Sequence, residues 1–150
     1  MLDVNVVLAA HRDDHPQFEE ARGWMDGLLA SRKGFSVTDL VAGSFVRLAT
    51  NRRIFLTPTP IDDAFAYLKS LRQQPGHVTL APGPGHLDLF ESLCRASDAT
   101  GDLAADAQLA AIAVEHGAEI VSFDRDFARF ADLRWSRPIW PRGSSRLPRA

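Results

Sequence analysis

The sequence contains a single cysteine, Cys94, so no disulfide bond can form within its 150 residues. A lone thiol inside an apolar helical pattern is typical of proteins in a reducing compartment. The sequence also lacks an apolar run long enough to cross a membrane. Asp3 interrupts the stretch in which a signal peptide would need a basic and then an apolar segment. We therefore expect a cytoplasmic protein that makes no membrane contact.

The chain also lacks an excess of positive charge, because its formal net charge is -2. Any binding of nucleic acid must then use local arginine clusters instead of a general basic field. Hydrophobic residues make up 45% and charged residues 24%, which fits one globular domain. We see no repeat, linker or second hydrophobic block. We predict a single domain over residues 1–138 and a flexible tail over residues 139–150, where Pro, Gly, Ser and Arg dominate.

Short apolar or β-branched runs alternate with helical patterns of two to four turns along the chain. We predict strand segments at the first residues and at 35–37, 78–80, 119–123 and 133–135. This alternation predicts an α/β fold in which helices cover a short, mainly parallel sheet.

The most informative stretch is residues 101–127, where a predicted helix leads through Gly117 into a buried strand. Asp102 and Asp106 are four residues apart, so they share one face of the first helical turns. Asp124 and Asp126 follow the strand. An αβ unit returns the end of its strand to the start of its helix, so we expect all four acids at one edge of the sheet.

Asp3 follows the first strand segment and should reach the same edge, because ligands bind at the carboxyl ends of parallel strands. Carboxylates packed this closely repel one another unless a divalent cation lies between them. Oxygen ligands favour Mg²⁺ or Mn²⁺, and the five histidines show no spacing typical of a zinc site. Such a cation suits phosphodiester chemistry.

Each acid taken alone has a simpler interpretation as a turn or cap residue. Asp102 could cap the helix that follows, and Asp126 could cap the short turn at residues 127–130. Asp106 resists this interpretation best, because it lies inside the helix beyond the capping position.

The segments LDVNV, RLATNR, GDLAADAQLAA and SFDRDFARFADLRW together resemble the PIN-domain ribonucleases, in particular the VapC-type toxins of bacterial toxin–antitoxin pairs. The resemblance extends to about Pro138. It implies a three-layer α/β/α fold, Mg²⁺- or Mn²⁺-dependent endonuclease action on RNA, a VapB-like antitoxin and a homodimer. It also implies that Asp3, Asp106 and Asp124 are the catalytic, metal-binding acids, that Asp126 is a less constant member, and that Asn5 supports the first acid.

The chain departs from this family at Ser44, where the resemblance leads us to expect a glutamate three residues before Arg47. Serine cannot replace a charged ligand, although it could hold a metal-bound water. Asp102, one turn before Asp106, could supply the missing charge to the metal site. The arginines Arg47, Arg52 and Arg53 are candidate phosphate contacts for single-stranded or looped RNA, and a solvent-exposed helix end is their alternative interpretation.

Two other functions remain open. Serine in place of the expected glutamate at position 44 would also fit a catalytically weakened module that only binds antitoxin or RNA. A phosphotransfer domain with a nucleophilic aspartate would need a lysine near the acids. The chain has only Lys33 and Lys69, on other predicted elements, so we disfavour this third function.

Overall fold

The computed structural model describes residues 1–140, so most of the predicted tail lies outside the described residues. Its helices are α1 (Val4–His11), α2 (Phe18–Ser31), α3 (Asp39–Ala49), α4 (Ile61–Arg72), α5 (His86–Ser97) and α6 (Asp102–Glu115). Two strands follow α6, namely β1 (Glu119–Val121) and β2 (Arg134–Ser136), and a 3-10 helix (Arg125–Arg129) lies between them.

The sheet is short and parallel. Ile120 of β1 pairs with Trp135 of β2. A single parallel bridge joins Leu2 to Val121. The Leu2 N–H donates to the carbonyl of Ser36 at 2.9 Å, which places residues 35–37 on the other side of Leu2. The predicted α/β class with a short parallel sheet is confirmed.

The predicted strand at residues 78–80 is wrong, and the one at 35–37 is reduced to a single bridge between Phe35 and His77. A strand at residues 78–80 would have to form hydrogen bonds with the backbone of Val37. The Val37 N–H instead donates to Nε2 of His77 at 3.3 Å, and its carbonyl accepts from Arg72 at 2.9 Å. Because these side chains already form hydrogen bonds with the N–H and the carbonyl of Val37, the pairing between strands does not continue there.

The helices form two groups around this sheet. Helix α1 contacts α2 and α3, and α3 also contacts α4, whereas α5 and α6 pack together and α6 contacts β1. Helices α1 and α6 are buried on most sides, because apolar residues occupy most of their positions and not just one face. These two helices begin at the acids Asp3 and Asp102, so the packing of the core positions both acids.

The last described residue, Trp140, lies against α2. A Cβ on Gly23 would come within 2.6 Å of the Trp140 ring nitrogen, and one on Gly27 within 3.1 Å of the ring. The ring can lie on this face because two residues four apart lack side chains. The domain boundary at residue 138 stays a prediction. Within residues 1–140, no helix has both the length and the apolar character of a membrane span.

Candidate active site

The predicted acids lie at the ends of strand segments or the starts of helices. Asp3 is the N-cap of α1 and is only 6% exposed. Asp102 is the first residue of α6 and Asp106 lies in its second turn. Asp124 precedes the 3-10 helix, and Asp126 lies in its first turn. Asp106 interacts electrostatically with the other four acids, as described below.

A hydrogen-bonded network centred on Ser122 fixes Asp3. The Ser122 hydroxyl donates to Oδ2 of Asp3 at 2.6 Å and accepts from the side-chain amide of Asn5 at 2.9 Å. It also accepts from the backbone N–H of Asp124 at 2.9 Å. The other oxygen of Asp3 accepts from the Val4 N–H at 2.6 Å. One fully buried hydroxyl therefore links two of the predicted metal ligands, and Asn5 hydrogen-bonds to the same hydroxyl.

Ser122 was not among the residues predicted from the sequence. A usable signal was present, because Ser122 falls two residues after Ile120 and so points to the same buried face of the strand. A serine at a buried position of an apolar run needs a hydrogen-bond partner. That requirement could have directed attention to the acids at the strand end.

We expect Ser122→Ala to destabilise the fold by about 3 kcal/mol, because the buried carboxylate of Asp3 loses its donor and the partly buried donors of Asn5 and Asp124 lose their acceptor. Urea unfolding measures this loss. Ser97→Ala is the matched control, since the Ser97 hydroxyl only donates back to the Leu93 carbonyl within α5. A Ser122→Ala variant as stable as Ser97→Ala would contradict the role assigned to the network.

The carboxyl of Asp106 experiences the acidic cluster most strongly. Burial, followed by the charges of Asp3, Asp124, Asp126 and Asp102, raises its pKa to about 7. Burial also raises the pKa of Asp3, and Asp124 adds to this, while the hydrogen bonds from Ser122 and Val4 act in the opposite direction. Within residues 1–140, every charged group that shifts the pKa of Asp106 is another carboxylate, so no cation in this part of the chain compensates the negative charge.

The donors suit a hard divalent cation, because all of them are carboxylate oxygens. Within residues 1–140, no group of three Asp, Glu, His or Cys side chains is already close enough to hold an ion. The acids therefore act on one another through space, and a bound cation would have to draw their side chains closer. The chemistry of the donors and the uncompensated charge fit such an ion.

Only some of the acids act as helix caps, which was their alternative interpretation. Asp124 does cap the 3-10 helix, because its side chain accepts from the Asp126 N–H at 2.9 Å. Asp126 is therefore not the cap that the sequence suggested for this turn. The N-cap of α6 is Gly101, at a φ of 57° that favours glycine, and Asp102 follows it as an exposed residue.

The remaining predicted residues, a serine and three arginines, do not contact the acids through hydrogen bonds or ion pairs within residues 1–140. Ser44 is half-buried and Arg47 exposed on α3, and Arg52 and Arg53 are exposed on the following loop. Within the described part of the chain, none of their side chains makes a hydrogen bond or ion pair with an acid. Their roles therefore stay predictions.

Arg12 holds the loop that carries Arg52 and Arg53. Its guanidinium lies 3.9 Å from the centre of the Phe55 ring and donates to the Thr57 carbonyl at 3.0 Å and the Thr59 hydroxyl at 3.1 Å. It also pairs with Asp14 at 2.5 Å. The loop is thus fixed at the end of α1 that is distant from Asp3.

A cavity of about 710 Å³ lies elsewhere. Its walls include Gly34 and Ala118, which precede strand segments, and also Leu2 and the β1 residues Glu119 and Val121. None of the five acids lines this cavity. The acidic site is therefore an edge of the sheet and not part of this cavity.

Comparison with known proteins identifies the family of this chain. The family model described as PIN domain matches residues 1–133. The chain belongs to the PIN domain family. Ribonuclease VapC25 of Mycobacterium tuberculosis is 55% identical over 138 residues, covering 92% of this chain and 97% of that protein. Ribonuclease VapC43 of the same species is 40% identical, covering 92% of this chain and 94% of that protein.

Solved structures support the PIN fold. VapBC2 from Rickettsia felis, bound to a DNA fragment from its promoter, matches with a TM-score of 0.67 at 13% identity, covering 91% of this chain and 96% of that chain. FitAcB from Neisseria gonorrhoeae matches with a TM-score of 0.57 at 19% identity over the same shares. At these identities the likeness concerns the fold alone. The predicted membership of the PIN family is confirmed.

Proposed function

We propose that this PIN-domain protein is an endoribonuclease that depends on Mg²⁺ or Mn²⁺ and serves as the toxin of a toxin–antitoxin pair. The observation that carries the proposal is the environment of Asp106, where the charges that shift its pKa are four carboxylates and, within residues 1–140, no cation. The names of the relatives, Ribonuclease VapC25 and Ribonuclease VapC43, support RNA as the substrate.

In this proposal Asp3, Asp106 and Asp124 hold the cation, and Asp126 and Asp102 add negative charge around it. A bound divalent cation supplies a water of lowered pKa and stabilises charge on the phosphodiester. Ser122 and Asn5 keep Asp3 in place while the other carboxylates move. No side chain acts as nucleophile, and hydrolysis leaves a 5′-phosphate and a 3′-hydroxyl.

Contacts with the RNA backbone fall to Arg47, Arg52 and Arg53 in this proposal. All three are exposed, and no acidic side chain within residues 1–140 competes for them. The loop anchored by Arg12 presents the last two of them in a fixed place. We propose single-stranded or looped RNA as the substrate, because its bases are unstacked and accessible to side chains, unlike those of a regular duplex.

A VapB-like antitoxin and a second copy of the chain are the proposed protein partners. The fold neighbours from Rickettsia felis and Haemophilus influenzae are both named VapBC. The chain also exposes large apolar side chains, with Leu56 fully exposed and Ile61 and Phe65 about half exposed. Exposed apolar groups of this size are typical of protein contacts.

Cleavage of a mixed cellular RNA pool by the purified protein tests the nuclease proposal. We expect cleavage with Mg²⁺ or Mn²⁺, a fall to background in EDTA, and recovery when the metal is returned in excess. Cleavage that persists in chelator would contradict the mechanism. A folded, metal-supplied protein that binds RNA or antitoxin without cleaving would favour the alternative of a weakened binding module, which Ser44 motivates.

A further inference from the structure

Two side chains close the edge of the sheet at Val37, where a neighbouring strand would otherwise lie. Val37 is 1% exposed, so its backbone groups are shielded from water. Its N–H donates to Nε2 of His77 at 3.3 Å, and its carbonyl accepts from Nη2 of Arg72 at 2.9 Å. Neither bond is within regular secondary structure, so the junction depends on these two side chains.

The imidazole of His77 has little freedom to move. The Phe35 N–H donates to the Gly76 carbonyl at 2.9 Å, and the Val78 N–H donates to the Phe35 carbonyl at 2.7 Å. The His77 ring meets the Phe35 ring edge-on at 5.5 Å between centres. A Cβ on Gly76 would come within 2.6 Å of the Lys33 carbonyl, so glycine permits the close approach that holds the ring in place.

The direction of the bond from Val37 determines the protonation state of His77. A ring nitrogen that accepts from an N–H carries no proton, so the proton of the neutral ring must be on Nδ1. A protonated imidazole has no acceptor left. Burial, followed by the charge of Arg72, lowers the pKa of His77 below its usual range. The charged groups at this junction are Arg72 of α4 and its partner Asp39 of α3, which pair at 2.8 Å.

We propose that His77 is a positioning residue that acts only as the neutral ring and holds the junction between the strand segment at Phe35 and helix α3. Thr38 follows Val37 and caps α3 by accepting from the Val41 N–H at 3.3 Å. Protonation of His77 removes the acceptor of the Val37 N–H and places a second positive charge beside Arg72. The junction then opens more readily in mild acid.

The consequence for catalysis rests on the proposed nuclease function. Helix α3 carries Ser44 and Arg47, and the strand segment at its start bonds to Leu2, which precedes Asp3. A loosened junction moves the arginine and leaves the acids supported by Ser122. We therefore expect the KM for RNA to rise in acid more than kcat falls, relative to a variant that cannot titrate at this position.

The matched variant is His77→Gln, because the glutamine side-chain oxygen can accept from the Val37 N–H without titrating. Nitrogen-15 shifts should show an unprotonated Nε2 in the wild type at pH 7.5. A group whose folded pKa is lowered contributes stability above its unfolded pKa and loses it as the pH falls. Protection of the Val37 amide should therefore drop severalfold, and at most about tenfold, between pH 7.5 and 5.5, one unit below the ordinary histidine pKa. The Ala64 amide of α4 is the internal reference.

In His77→Gln the protection of Val37 relative to Ala64 should change less than about twofold over the same range. A proton on Nε2 at pH 7.5, or equal pH dependence in both proteins, would overturn the proposal. If His77→Gln does not fold, the nitrogen-15 shifts and the Val37 protection of the wild type alone decide. These measurements need no RNA. A protein that cleaves no RNA would contradict the nuclease proposal, whereas the role of His77 would still be decided by the nitrogen-15 shifts and the amide protection.

Discussion

Asp106→Asn should lower metal-dependent RNA cleavage by at least about 100-fold, because an amide replaces the carboxylate at the centre of the acidic site. Asn keeps nearly the same size and shape as Asp, so the packing of α6 is preserved. What the variant loses is a charged oxygen that interacts electrostatically with four other carboxylates. Initial rates with saturating Mg²⁺ on one defined RNA measure the effect.

Loss of folding cannot account for this result if the variant is at least as stable as the wild type. We expect that stability, because the neutral amide avoids both the cost of burying a charge and the repulsion by neighbouring carboxylates, which together raise the pKa of Asp106 to about 7. Asp88→Asn is the matched control, since Asp88 is an exposed acid on α5 outside the candidate site. Equal rates for Asp106→Asn and Asp88→Asn would remove Asp106 from the mechanism.

The acidic edge was accessible to sequence reasoning because its geometry follows from local rules. Asp102 and Asp106 share a helix face through their spacing, and the turn at Gly117 returns the chain to the start of that helix. Asp3 joins them because Leu2 pairs with Val121. A helix–strand unit and one parallel pairing are sufficient to bring these acids together, and neither depends on the details of side-chain contacts.

The edge of the sheet at Val37 was not accessible in this way. The β-branched pattern at residues 78–80 satisfies the rules for a strand, yet the bonds that such a strand needs are taken by His77 and Arg72. Arg72 lies 35 residues from Val37 along the chain. A local pattern carries no information about a competing donor from another helix, so tertiary contacts overrode the propensity.

Asp102 is the candidate to replace the charge of the glutamate that the family resemblance led us to expect at Ser44. Asp102 is exposed, and among the four carboxylates that raise the pKa of Asp106 it has the smallest effect. Ser44 makes no bond to the acids within residues 1–140. The charge of Asp102 therefore acts on Asp106 more weakly than the other three, and its contribution to metal binding should be modest.

Binding of Mg²⁺ should stabilise the protein more at pH 8 than at pH 5.5. The raised pKa of Asp106 means that the folded state keeps its proton up to about pH 7, whereas the unfolded chain loses it near pH 4. Without metal, stability from this group is therefore present at low pH and is lost as the pH rises from about 4 to about 7. A cation restores it only where Asp106 is ionised.

We expect the midpoint of thermal unfolding to rise by about 3 to 5 °C at pH 8 with Mg²⁺ at ten times its Kd, and by less than about 1 °C at pH 5.5. Asp106→Asn should abolish the rise, and Asp102→Ala should shift it to higher Mg²⁺ concentration while Asp88→Asn does not. Histidines with lowered pKa values, such as His11, destabilise the fold in acid and act in the opposite direction. Subtracting the profile of Asp106→Asn removes their contribution, so a difference that does not grow with pH would show that Asp106 does not bind the cation.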